Sequence, residues 1–248
     1  MSKIRVSAVS YTNTKPFVYG IQHSGLLDKI ELSLDIPSDC ARKLLNDEAD
    51  IGLVPAAILL DIPDHQIVSD YCIGADGAVN SVFIFSNKPV NEIKTLRLDL
   101  QSRTSNALAK VLLENYWKQQ VDYITDIEAD AFVEIGDRTF GKKELYPYVY
   151  DLAEEWKKFT GLPFVFAVWA SNKPIDASFV KEFNSALQLG LQNTGHVLTE
   201  LPKVENFDLE DYLFNKLDFD LTNSKREALK LFHSYILKNS QVHILSNN

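Results

Sequence analysis

Short apolar runs of strand length alternate along this chain with longer segments whose apolar residues recur at helical spacing, and that alternation restricts the fold to the α/β class. The strand-length runs are Ile4 to Val9, Ile51 to Val54, Ser81 to Phe85, Leu96 to Leu98, Ala131 to Ile135 and Phe164 to Trp169. Between Ser38 and Asp50 the residues Ala41, Leu44 and Leu45 share one helical face, and the chain then passes straight into Ile51-Gly-Leu-Val-Pro55, which predicts a helix feeding a core strand. Asp151 and Glu154 carry the spacing of a capping box, Leu152, Trp156 and Phe159 share an apolar side, and Gly161 with Pro163 ends that helix. Phe179, Phe183, Ala186, Leu187 and Leu191 predict a helix over 178–194, and Ala228, Leu229, Phe232, Tyr235 and Ile236 another over 224–238.

The block between about 90 and 165 has strands and helices of its own, flanked by two apolar runs that can carry the chain out and back. This predicts two lobes: a discontinuous first lobe from 1–88 and 170–248, and an inserted second lobe over 89–169, with a ligand cleft between them where strand ends and helix N-termini converge. A chain of 248 residues, 46% hydrophobic, has ample material for such cores. Its 25 Lys and Arg against 34 Asp and Glu leave a net charge of −9 with no basic cluster, which argues against a nucleic-acid partner but not against a small anion held by local donors. No window reaches the length of a membrane span, and the N-terminal apolar run soon meets Tyr-Thr-Asn-Thr-Lys-Pro, so the expectation is a cytoplasmic protein with no membrane partner. Cys40 and Cys72 have neither metal nor redox spacing and read as reduced, partly buried thiols. The histidines at 23, 65, 196, 233 and 243 form no metal-binding pattern, and the glycine-rich nucleotide motifs and the Ser-hydrolase elbow are absent, so neither a metal nor another cofactor is expected. Oligomeric state is not legible.

Three segments place small hydroxyl or amide residues after a strand and before a helix: Ser10-Tyr-Thr-Asn-Thr14, Gln101-Ser-Arg-Thr-Ser-Asn106 and Gly136-Asp-Arg-Thr139. First-turn N–H groups joined by Ser and Thr hydroxyls bind a carboxylate, and the helix dipole adds favourable potential, although plain helix capping selects the same residues. Arg103 and Arg138 could add charge-assisted bonds or simply pair on the surface. Asp137, just past an apolar strand, reads as a base or a cap. Glu134 interrupts an apolar strand and reads as the mark of a solvated face.

In order and spacing, several stretches together resemble the chorismate dehydratase family: Val9-Ser-Tyr-Thr-Asn-Thr-Lys-Pro16, Ala49-Asp-Ile-Gly-Leu-Val-Pro55, Gly77-Ala-Val-Asn-Ser-Val-Phe-Ile-Phe-Ser86, Leu98-Asp-Leu-Gln-Ser-Arg-Thr-Ser105, Ile135-Gly-Asp-Arg138 and, most specifically, the run from Tyr150 to Trp169. The resemblance spans residues 4 to about 172, while the helical tail matches only in length and character. It implies a type II periplasmic-binding-protein-like fold, two lobes around a ligand cleft, and conversion of chorismate to 3-[(1-carboxyvinyl)oxy]benzoate and water on the futalosine route to menaquinone. It also implies that Asn13 and Ser81 act at the reacting edge, and that the turn Ser102, Arg103, Thr104 and Ser105 holds a substrate carboxylate. Thr14, Pro55 and Gly136 are expected to line the substrate site. Thr12 stands where the family commonly has Leu, a change expected to be harmless, and Glu134 where the strand is usually apolar. Because neither Asn nor neutral Ser is a good base, the expected proton acceptor is Asp137 or the substrate's own enolpyruvyl carboxylate. Two other readings stay open at this point: the 1,4-dihydroxy-6-naphthoate synthase of the same pathway, whose motifs fit worse, and a non-catalytic binding protein for a carboxylate ligand.

Overall fold

The computed structural model describes residues 3–125 and 128–246, with side chains up to residue 239, so that His243 lies outside the described side chains. The chain begins with βαβ units: β1 (Ile4–Val9), α1 (Lys15–His23), β2 (Ile30–Asp35), α2 (Pro37–Leu45) and β3 (Ile51–Pro55), followed by the long β4 (Gln66–Ala75). Helical crossovers impose parallel pairing of β1 with β2 and β3. Residues 76–81 then lead out to β5 (Val82–Ser86), β6 (Thr95–Arg97), α3 (Arg103–Val111), β7 (Asp122–Ile124), β8 (Ala131–Ile135), β9 (Tyr148–Asp151) and α4 (Leu152–Thr160). Past Gly161 the chain returns through β10 (Phe164–Ser171), α5 (Ala177–Gln192), α6 (Thr194–Glu200), the short α7 (Leu209–Asp211), β11 (Asp218–Asp220) and α8 (Asn223–Ser246).

Two sheets result, a six-stranded one ordered β11-β4-β10-β3-β1-β2 and a five-stranded one ordered β7-β6-β8-β5-β9. The expected lobe boundaries at 88/89 and 169/170 each come one strand late: β5 pairs with β8 and β9 in the second sheet, and β10 pairs with β3 and β4 in the first. All five residues of β5 and seven of the eight of β10 are buried, so neither run alternates in a way that betrays which sheet it joins. The punctuation just before each run marks the crossovers instead, at Gly77 and at Gly161 with Pro163.

Aromatic side chains carry the packing. In the first sheet Phe17, Trp169 and Phe183 meet edge to face, with ring centroids 5.9 Å apart for the first pair and 5.0 Å for the second. At the crossover back, Trp156 of α4 packs on Phe164 and Phe232 and donates its indole N–H to the Pro163 carbonyl at 3.0 Å. α1 and α5 cross backbone to backbone at Gly20 and Gly190, where an added Cβ would lie 2.0 Å from the Ala186 carbonyl oxygen and 1.8 Å from that of Pro16 respectively. Cys40 and Cys72 are buried and unpaired, and burial pushes both thiols up to about 12. No described helix is long and apolar enough to cross a membrane.

Candidate functional site

Ser81 sits at the mouth of β5, directly after the outward crossover, and is fixed from several directions. Asn80 before it adopts a left-handed conformation, φ 60°, a region that Asn tolerates better than most residues. The buried Asp151 carboxylate receives the N–H groups of Val79 at 3.2 Å and Asn80 at 2.7 Å, and it also caps α4 by accepting from Ala153 and Glu154. The second half of the expected capping box is not made, because the Glu154 carboxylate pairs with Lys158 at 3.1 Å. The Ser81 carbonyl accepts the Gly136 N–H at 2.8 Å, tying β5 to the turn after β8. Its hydroxyl accepts a hydrogen bond from the phenol of Tyr212 at 3.0 Å.

Asn13 lies on a single helical turn, Thr12–Thr14, between β1 and α1, where Pro16 pre-sets the following helix. Its side-chain carbonyl accepts from the Thr14 hydroxyl at 3.0 Å. Asp137 reaches this turn from the other side of the cleft: its carboxylate receives the Thr12 N–H at 3.0 and 3.1 Å and the Thr12 hydroxyl at 2.9 Å. Thr12 therefore makes a bond that Leu could not, so the substitution is more than neutral. Asp137 itself lines a separate surface cavity with Ser10, Lys15 and Tyr19, and is not part of the lining shared by Asn13 and Ser81. Gly136 has φ +64°, and a Cβ there would stand 2.8 Å from the Tyr11 ring. Tyr11 thus lies flat over the turn, its phenol bonded to the Gln101 side-chain carbonyl and pushed up in pKa mainly by burial. Arg138 turns to the buried Asp99 at 2.6 Å, and that carboxylate, outweighing the effect of burial, raises the guanidinium pKa.

The turn at 102–105 divides its work. Ser102 caps α3, accepting the Ser105 N–H at 3.1 Å and touching the Ser105 hydroxyl at 2.8 Å. Thr104 faces the other lobe, its hydroxyl accepting the Ala57 N–H at 3.1 Å, and Arg103 points outward to the exposed Asp61 at 3.2 Å. Neither lines the cleft, and an exposed pair of that kind contributes little. Glu134 also has a partner, Lys142 at 2.8 Å, and is largely covered, so it does not mark a solvated face.

One cleft, partly open at its mouth, gathers Asn13, Thr14, Pro55, Ser81, Ser102, Ser105 and Gly136. Tyr11, Val9, Ile73, Val79, Ile135 and Phe166 complete a mostly apolar wall, and no Lys, Arg, Asp or Glu lines it. Its polar resources are neutral hydroxyls, the Asn13 amide and the first turns of α1 and α3. Tyr212, from the helical tail, escaped the reading of the sequence. Nothing around it in sequence announces its partner, although the tail's one buried tyrosine beside Leu213 was a signal that it packs inward.

The family described as menaquinone biosynthesis matches residues 4–238. A curated relative, the chorismate dehydratase of Thermus thermophilus, is 27% identical over 255 residues, covering 90% of this chain and 91% of that protein. Among solved structures, Archaeoglobus fulgidus protein AF1704 superposes with a TM-score of 0.69 at 17% identity over 96% of this chain and 98% of that one. The periplasmic aliphatic sulphonate binding protein SsuA from Escherichia coli gives 0.62 at 13% identity over 98% and 94%. The architecture is that of the periplasmic-binding-protein fold, and with a match running almost from end to end the chain belongs to the menaquinone-biosynthesis family.

Proposed function

We propose that this protein is a cytosolic chorismate dehydratase, converting chorismate to 3-[(1-carboxyvinyl)oxy]benzoate and water. The observation that carries the reading is the meeting of Asn13 and Ser81 in one apolar cleft that also exposes the first turn of α3 and contains no charged side chain. Chorismate brings two carboxylates. The ring carboxylate suits the α3 N-terminus, where Ser102 and Ser105 add hydroxyls to unpaired N–H groups. The enolpyruvyl carboxylate is tethered beside C3, and in a cleft poor in water its basicity rises. It takes the C3 proton, the C3–H electron pair becomes the C3–C4 π bond, the C4–O bond breaks with its electron pair on oxygen, and the proton now on the enolpyruvyl carboxyl passes to that oxygen, which leaves as water and restores the carboxylate. The change is redox-neutral and ends in an aromatic ring. Asn13 and Ser81 act at the C4 oxygen, donating hydrogen bonds as negative charge develops there. Asp137 is a weaker choice of base, because three donor contacts from Thr12 hold its carboxylate outside the cleft lining.

Purified protein mixed with chorismate, followed by chromatography and mass, is the test. An aromatic product lighter by one water is expected, with kcat reduced by about a hundredfold to a thousandfold in Asn13→Ala and Ser81→Ala. The likeness to a sulphonate-binding protein supports one other reading, a carboxylate-binding protein without turnover. Chorismate that binds but stays intact would favour it and sink the dehydratase reading.

A further inference from the structure

Tyr212 is fully buried on a wide helical turn, Tyr212–Lys216, of the π type that recurs at functional sites. Phe140, from the turn region after β8, and Phe207, just before α7, stack on each other at 3.8 Å and both present their faces or edges to the Tyr212 ring, at 5.3 and 5.4 Å. The phenol is thereby aimed, with Ser81 at 3.0 Å and the side chain of Asn13 as its hydrogen-bonding neighbours. Burial pushes its pKa up, so it remains a neutral hydroxyl with one proton to give.

That single proton orders the whole cluster. Thr14 donates to the Asn13 carbonyl oxygen, which leaves the Asn13 amide as a donor. The amide side faces the Tyr212 oxygen, and Tyr212 donates to Ser81 Oγ. A serine whose oxygen already accepts a bond turns its own proton elsewhere, and the side of Ser81 that remains is the cleft. We propose that Tyr212 is a positioning residue that orients the Ser81 hydroxyl as a donor to the departing C4 oxygen. The inference rests on the reading of Ser81 as a contact of the reacting edge. Tyr212 does not line the cleft and reaches it only through Ser81 and, secondarily, Asn13.

The test is steady-state turnover of chorismate by Tyr212→Phe, Ser81→Ala and the double variant, each checked for folding by thermal melting. Tyr212→Phe removes one oxygen and keeps the aromatic packing. Its kcat is expected to fall by about tenfold to a hundredfold with KM within about threefold, and Ser81→Ala to fall at least as far. The double variant should fall within about threefold of Ser81→Ala, because the orienting effect through Ser81 is gone with the hydroxyl and only the contact with Asn13 is left to lose. Biosynthetic 3-fluorotyrosine at 212 keeps the donor and should restore turnover to within about threefold of the unmodified enzyme. It also serves if the Phe variant does not fold, since loss of turnover with the hydroxyl present overturns the proposal. Effects of Tyr212→Phe and Ser81→Ala that multiply in the double variant, or normal kcat in Tyr212→Phe beside a crippled Ser81→Ala, overturn the positioning role while leaving Ser81 in place. Normal turnover in Ser81→Ala removes the underlying reading as well.

Discussion

Asp151 receives four backbone N–H groups, two from the crossover that carries Ser81 and two from α4, while burial pushes its carboxyl up to about 6 despite those donors. Because the folded value exceeds the unfolded one of 3.8, its contribution to stability is fully present below 3.8 and is lost as pH rises through about 6. The shift corresponds to about 3 kcal/mol between those limits. Thermal melts at pH 5 and 7.5 should show a pH difference that shrinks in Asp151→Asn; an unchanged difference would count against Asp151 as its source. Asp137→Asn keeps an acceptor for Thr12 and should lower kcat by less than about tenfold, whereas loss of a general base costs about a hundredfold or more. A loss of that size would return Asp137 to the chemistry. Much of the cleft lining was legible before the fold: Asn13, Thr14, Ser81, Ser102, Ser105, Pro55 and Gly136 all stand in motifs that the resemblance picks out. Which hydroxyl faced which lobe was not, because Ser102, Thr104 and Ser105 carry the same cap-forming chemistry and only the approach of Ala57 separates them.

Elements with strong periodicity and clear punctuation came through best. α4 runs from its Asp151 cap to Gly161 as read, and β1 and β8 keep the expected limits. β2 was passed over although Ile30, Leu32 and Leu34 alternate with Glu31, Ser33 and Asp35, the pattern of an edge strand. β4 was hidden by Ser69 and Asp70, which bond to Asn184 of α5 and so sit inside a ten-residue strand without breaking it. β7, β9 and β11 have three or four residues each, too few for a period to declare itself. The α1–α5 crossing offers the sharpest test at this scale. Gly190→Ala forces a methyl against the Pro16 backbone, which cannot swing aside as a side chain would, and should cost about 3 kcal/mol. Chemical denaturation reads that loss directly. The buried Lys225 joins α8 to β11 by donating to the Asp218 and Asp220 carbonyls at 2.6 and 2.7 Å and pairing with the Asp218 carboxylate at 2.8 Å, so Lys225→Met should cost about 1–3 kcal/mol by removing those charge-assisted bonds.

For the whole molecule, the two lobes meet through a ring of bonds around the cleft: Thr12 to Asp137, Tyr11 to Gln101, Ala57 to Thr104 and Asp61 to Arg103. Such contacts would have to break for the lobes to separate, the exposed Asp61–Arg103 pair adding least. Thr104→Val keeps the shape and removes the acceptor for Ala57. It should raise KM by about fivefold to tenfold with little change in kcat, and small-angle scattering of the ligand-free protein should show a larger radius of gyration. An unaltered scattering profile would mean that this bond does not hold the lobes together. The position of β10 between β3 and β4 also dictates how the protein must be made. Those two strands leave the ribosome with facing edges unpaired, and their missing neighbour follows only after the entire second lobe has been synthesised. The nascent chain therefore carries an open seam through the middle of its first sheet, and a product truncated before Phe164 should aggregate even though the second sheet already has all its strands.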